Sequence, residues 1–203
     1  MPNVAVHLKS KALTVAEAVI QMVPRMACTA QNPDKLIFVG IDPGSLKTGF
    51  GVIEVMGEQI RHLNHGVILL ADEITFAHRL LALSDSLQMI LKKYEAKHVI
   101  VEKIFLGKNP DSAFKLGHAR GIAFCEAVRA GAQLFEYSTR EVKKGVAGSG
   151  AATKEQVQRS LKTILRLGQI VNMDAGDALA MAVYHAHEWR AQTRISQLKA
   201  SSI

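Results

Sequence analysis

The chain has 203 residues, 48% of them hydrophobic and 21% charged, a balance that suits one folded domain of ordinary size. Apolar residues are too frequent and too regularly placed for a disordered tail protein. Only two cysteines occur, Cys28 and Cys125, which excludes a disulfide scaffold, argues against a zinc site and suggests buried structural thiols in a reducing compartment. No stretch approaches the roughly 20 uninterrupted apolar residues of a membrane span, so no membrane partner is expected. The net charge of +7 favours a polyanionic partner. Between Arg140 and Arg166 seven basic residues face only Glu141 and Glu155, so this segment carries most of the excess.

Residues 1–35 read as an N-terminal extension. The mildly apolar run Ala12 to Val23 is interrupted by Glu17 and Gln21 and ended by Pro24 and Arg25, a poor core for a signal peptide. The domain is expected over residues 36–190, with 191–203 as a C-terminal tail. Leu36 to Ile41 is a nearly continuous apolar run, as in a strand buried on both faces. A turn at Pro43-Gly44 leads to a second strand, Phe50 to Val55. Gly57 and Glu58 join it as a hairpin to a third, Arg61 to Leu70. Phe76, Leu80, Leu83, Leu87 and Ile90 recur at helical spacing. A strand from His98 to Ile104 follows, then a helix from Asp111 to Ala130 ending near Gly131. Leu134 to Tyr137 is the last strand.

The remainder reads as helical. Thr153 and Gln156 form a capping-box start for a helix running up to Gly168, and its Lys154, Gln158, Lys162 and Arg166 share one face. The glycine-rich segment Gly145 to Gly150 lacks the Gly-Lys-Ser/Thr ending of a P-loop and reads as a flexible, DNA-facing loop. A final helix spans about Asp174 to Arg190. Strands come first as a meander and then alternate with helices, which implies an α/β domain with a mixed sheet.

Four acids stand in apolar company. Asp42 closes the first strand, Glu102 lies within Val99-Ile100-Val101-Glu102-Lys103-Ile104-Phe105, and Asp174 and Asp177 share one side of a helical turn. Each has an ordinary reading. Asp42 can bond its own turn, Glu102 can face solvent or pair with Lys103, and Asp174 can cap its helix. Together they can converge on one point of a mixed sheet. Clustered carboxylates need neutralisation, and oxygen-only donors select hard ions such as Mg²⁺ or Mn²⁺.

These residues resemble the RuvC family of Holliday-junction resolvases. The likeness rests on Gly40-Ile41-Asp42-Pro43-Gly44-Ser45 with Thr48-Gly49 and Gly51, on Val101 to Phe105 leading into Lys108-Asn109, and on Leu116-Gly117 with Ala119-Arg120-Gly121. It continues through Tyr137, Arg140, Val142 and Lys143-Lys144, then Ala152-Thr153-Lys154 and Gln156-Val157, to Asp174-Ala175-Gly176-Asp177-Ala178-Leu179-Ala180 and His185. It covers about residues 36–187, and the ordered set is far more specific than the Asp-Pro-Gly motif alone.

The resemblance implies an RNase H-like fold, here a mixed five-stranded sheet flanked by helices, and a homodimer that resolves four-way DNA junctions by paired symmetric nicks. It implies Asp42, Glu102, Asp174 and Asp177 as catalytic acids that hold two Mg²⁺ ions, with Mn²⁺ able to substitute. Phe105 falls where an aromatic ring stacks on a base; Lys143 and Lys154 fall where the backbone near the scissile phosphate is contacted. Lys108, Arg140 and Lys144 complete the expected DNA-binding set. Phe114, Ala123 and Ala127 are candidates for the dimer contact. A RuvA–RuvB branch-migration complex is the implied partner and the bacterial cytoplasm, at the nucleoid, the implied setting. Gly176, between the paired acids, is a weak helix residue expected to loosen that turn. Three alternatives stand beside this reading. One is a nuclease of the same fold acting on other branched DNA or RNA. Another is a binding module without chemistry. The last is an actin-like or sugar-kinase-type ATPase, suggested by the strand-Asp-x-Gly turn.

Overall fold

Three antiparallel strands open the fold in the computed structural model, which describes residues 35–103, 110–170 and 172–200. These are β1 (Lys35–Asp42), β2 (Lys47–Met56) and β3 (Gln59–Leu69), and the last two turn through Gly57 at φ +53° and Glu58. Helix α1 (Phe76–Tyr94) leads to β4 (His98–Glu102), and α2 (Pro110–Arg129) to β5 (Gln133–Tyr137). Helices α3 (Thr139–Ala147), α4 (Lys154–Leu165) and α5 (Met173–Ala200) follow. The five strands form one mixed sheet in the order β3-β2-β1-β4-β5, antiparallel on the meander side and parallel from β1 to β5. The fold is RNase H-like.

Both faces of the sheet are covered, which accounts for the unbroken apolar run of β1. Ile37, Val39 and Ile41 join Leu83, Leu87 and Ala123 beneath α1 and α2. Phe38, with Ile53 and Ile100, joins Val142, Leu161 and Leu179 beneath α3, α4 and α5. Side chains alternate along a strand, so Asp42 falls on the second face, with α5.

Three glycines on that face set how closely α5 approaches. In register, Gly40 faces Gly51 and Asp42 faces Gly49. A Cβ at Gly40 would stand 1.9 Å from the Ala178 carbonyl oxygen, and one at Gly49 would stand 2.2 Å from that of Asp174. Main chain therefore lies against main chain, with the fully buried Ala175, Ala178 and Ala182 on the inner side of the helix.

Several expectations are corrected. The segment read as a loop from Gly145 is helical through Ala147, and only Gly148 to Gly150 remain outside a helix. Ser138 and Glu141 form a capping box that starts α3, and Gly148 ends it at φ +80°. Gly145 is a packing glycine, since a Cβ there would meet the Tyr184 ring at 2.2 Å. Helix α4 starts at the expected Thr153–Gln156 box but stops at Leu165, where Arg166 adopts the left-handed conformation at φ 53°. Helix α5 runs ten residues past Arg190 to Ala200, so no break separates the domain from the residues read as a tail. Gly176 does not loosen its turn; it is buried, and its missing side chain admits Gln158. Cys125 is exposed, and Cys28 lies outside the described residues. Ala123 and Ala127 are core residues, whereas Phe114 is 70% exposed.

Candidate active site

The parallel pairing of β1 with β4 brings the first two acids together. Ile41 pairs with Val101, so Asp42 and Glu102 follow at adjacent strand ends on the α5 face. The glycine contacts bring the start of α5 over the same spot, with Asp174 and Asp177 one turn apart. Asn172 caps this helix, its side-chain oxygen accepting from the Asp174 N–H at 2.9 Å. The Asp174 carboxylate is thus released from the capping role that was its ordinary reading.

Electrostatics register the gathering. Asp42 is pushed up from its ordinary 3.8 to about 7, first by burial and then by the charges of Glu102, Asp177 and Asp174, with Lys154 pulling the other way. The Lys47 ammonium lies 2.5 Å from Asp174 Oδ2, and Lys154 lies 2.5 Å from Asp177 Oδ2. The Lys154 contact is a hydrogen bond; the Lys47 contact is an ion pair outside hydrogen-bonding geometry, which leaves that buried Asp174 oxygen without a donor. The Thr139 hydroxyl donates to Glu102 Oε1, and the Arg120 guanidinium donates to the Glu102 carbonyl at 3.1 Å while pairing with Glu136. Among the described residues neither Asp42 nor Glu102 has an ion pair.

Asp42, Glu102 and Asp177 open into a cleft lined also by Thr139, Lys143 and Lys154, with Val142, Val157 and Met181 as its apolar wall. With two acids held on lysines and one on a threonine, no three acidic, histidine or cysteine groups among the described residues are set to hold one ion. The donor set nevertheless fits a hard divalent cation. Four carboxylates outnumber the ammonium groups of Lys47, Lys143 and Lys154 near them, and the charges of Glu102, Asp177 and Asp174 add to burial in raising Asp42. In the turn after Asp42 the Gly44 N–H donates to the Thr48 hydroxyl at 3.2 Å, so the turn's own hydroxyl takes that donor.

Lys143 and Lys154 thus stand at the cleft, while Arg140 and Lys144 are exposed on α3. Phe105 and Lys108 lie outside the described residues. Thr139 and Lys47 were not foreseen. Ser138-x-x-Glu141 was the available signal for Thr139, because that box fixes the helix start beside Glu102. No local pattern marks Lys47.

Residues 38–185 match the family model described as crossover junction endodeoxyribonuclease RuvC. The chain is 52% identical to a protein of that name from Bdellovibrio bacteriovorus over 76% of its own length and 92% of the relative's. A structure of Thermus thermophilus RuvC superposes with a TM-score of 0.72 at 30% identity, over 78% of this chain and 98% of that one. A second, of Thermus thermophilus RuvC in complex with a Holliday junction substrate, gives 0.73 at 31% identity, over 78% and 97%. With the acids gathered at the strand ends and the match running through nearly the whole described sheet and the first half of α5, the chain belongs to the RuvC family of crossover junction endodeoxyribonucleases.

Proposed function

We propose that this chain resolves four-way DNA junctions by paired symmetric nicks, through metal-assisted hydrolysis of phosphodiester bonds, in recombination and repair. The observation that carries the reading is Asp42, whose carboxyl is pushed up to about 7 by burial and by the nearby charges of Glu102, Asp177 and Asp174, in a chain of net positive charge. Asp42, Glu102, Asp174 and Asp177 would hold two Mg²⁺ ions, with Mn²⁺ as a substitute. Bound there, the ions supply a nucleophile at neutral pH and neutralise charge that develops on the phosphate. Thr139 holds Glu102 in place, and Arg120 fixes its main chain. Lys154, already directed at Asp177, stabilises the phosphate as negative charge grows. The wall of Val142, Val157 and Met181 keeps water from one side of the cleft and strengthens each of these interactions. Lys143, with Arg140 and Lys144, binds backbone phosphates and positions the junction by shape.

The acting unit is a homodimer, since two equivalent strands call for two equivalent sites. Exposed Phe114 on α2 and Leu81 on α1 supply apolar surface for that contact. A RuvA–RuvB complex is the proposed partner, and the bacterial cytoplasm, at the nucleoid, the proposed setting. Among the described residues no helix is long and apolar enough to cross a membrane.

The test is incubation of the purified protein with four-way junction, duplex and single-stranded DNA, each with Mg²⁺ and with chelator. Symmetric nicks in the junction alone, absent with chelator, are expected. Equal cutting of plain duplex, or nicking that survives chelation, overturns the proposal.

A further inference from the structure

Two of the elements that carry the site, β4 and α5, meet again behind it together with β5, at a polar group the chemistry does not use. His185 lies two turns beyond Asp177 on α5. Its Nδ1 is 2.8 Å from the Tyr137 hydroxyl on β5, and its Nε2 is 2.8 Å from Nδ1 of His98 on β4. His98 and His185 are 7% and 2% exposed, and Phe38 stacks on His98 with ring centres 4.4 Å apart. Burial pushes His98 down to about 4 and His185 to about 3, and raises Tyr137 to about 12. All three groups are therefore neutral at physiological pH.

Two imidazoles in an apolar core are costly unless their nitrogens are satisfied, and aliphatic side chains would fill the same space without that demand. What hydrogen bonds add is register. A buried bond holds its atoms to a few tenths of an ångström, whereas apolar surfaces can slide and repack. Each member of the chain is tied to the site. His98 and Glu102 share one face of β4, and Tyr137 faces Glu102 across the β4–β5 pairing. Tyr137 also precedes by two residues Thr139, whose hydroxyl engages Glu102.

We propose that Tyr137, His185 and His98 form a hydrogen-bonded clamp that sets the spacing between Glu102 and Asp177, making Tyr137 and His185 positioning residues for the acids that hold the metal. The inference rests on the metal reading above. Tyr137→Phe removes one oxygen and keeps the ring. Calorimetry of Mn²⁺ binding to the free protein is expected to show affinity reduced roughly three- to tenfold, below the full effect of losing a direct partner of a ligand. Mg²⁺ required for half-maximal nicking rises by the same factor, and junction binding in chelator is unchanged. Val183→Ala, equally buried on α5, lowers the melting midpoint at least as much and leaves Mn²⁺ affinity alone. Wild-type protein at pH 7 should also show two neutral histidine rings by nitrogen NMR, with a slowly exchanging ring N–H between them.

Mn²⁺ affinity of Tyr137→Phe within twofold of wild type overturns the clamp while the metal reading stands. A doubly protonated imidazole at either position does the same without any variant. A wild type that takes up no Mn²⁺ overturns both.

Discussion

The Lys47 ammonium lies 2.5 Å from Asp174 Oδ2, and Lys154 makes the matching approach to Asp177. The start of β2 and the start of α4 thus supply the positive charges that hold the paired acids of α5. Both lysine side chains are about half exposed, so each pair contributes at most about 1 kcal/mol to folding. In the metal site proposed above, their weight lies in competition with cations. Lys47→Met is expected to tighten Mn²⁺ binding two- to fivefold by calorimetry. Lys154→Met should tighten it similarly yet slow nicking at saturating Mg²⁺ by about tenfold or more, because charge on the phosphate loses its partner.

Asp42→Asn should abolish nicking of a synthetic four-way junction and leave junction binding in chelator intact. It should also reveal the electrostatic strain at the site. A carboxyl raised from 3.8 to about 7 keeps its proton in the folded state after the unfolded chain has lost it. Stability is then fully present below about pH 4 and declines as pH rises through about 7. The histidines oppose this below their ordinary 6.5, since burial lowers His98 and His185. The difference between wild type and Asp42→Asn isolates the carboxyl. In chelator the variant should be the more stable at pH 8, by at most about 4 kcal/mol, and the gap should close toward pH 4. Denaturant melts at the two pH values read it directly.

Gly40→Ala places a methyl 1.9 Å from the Ala178 carbonyl oxygen, where only main chain can yield. A loss of about 3 kcal/mol or more is expected, lowering the midpoint by roughly 6–12 °C for a chain of this size. Activity should fall further than stability accounts for at 25 °C, because a displaced α5 carries Asp174 and Asp177 with it. Nicking rates measured well below the midpoint test this.

Junction affinity should fall steeply with salt, as phosphate contacts release counterions. Lys143→Ala and Arg140→Ala should each reduce the logarithmic salt slope by about 1 without altering which strands are cut. Titrations between 50 and 200 mM salt, with the cut sites mapped in parallel, provide the measurement.

The elements with local signals were the legible ones. β1 announces itself by a run of apolar residues, and α4 by Thr153 and Gln156. Asp42 and Glu102 stood out because ionisable side chains in apolar strands demand an explanation, and Asp174 and Asp177 because their spacing puts both on one side of a helical turn. What escaped was either overridden by packing or dispersed along the chain. Gly145 has the composition of a loop but sits inside α3, since the Tyr184 ring occupies the space of its side chain. α5 continues beyond Arg190, where Arg194 pairs with Glu58 of the β2–β3 turn, a contact no periodicity could disclose. Lys47 with Asp174 and Thr139 with Glu102 are pairings between distant segments, visible only once the sheet brings them together.

That α5 is the last described helix, yet supplies half of the acids, orders events during synthesis. Strands β1 to β5 can form as the ribosome delivers them, but Asp42 and Glu102 wait without their partners until the final helix emerges and seats on the glycine path. A chain interrupted before α5 therefore has Asp42 and Glu102 at the strand ends without Asp174 and Asp177, and the full cluster can form only after residue 177 has been made.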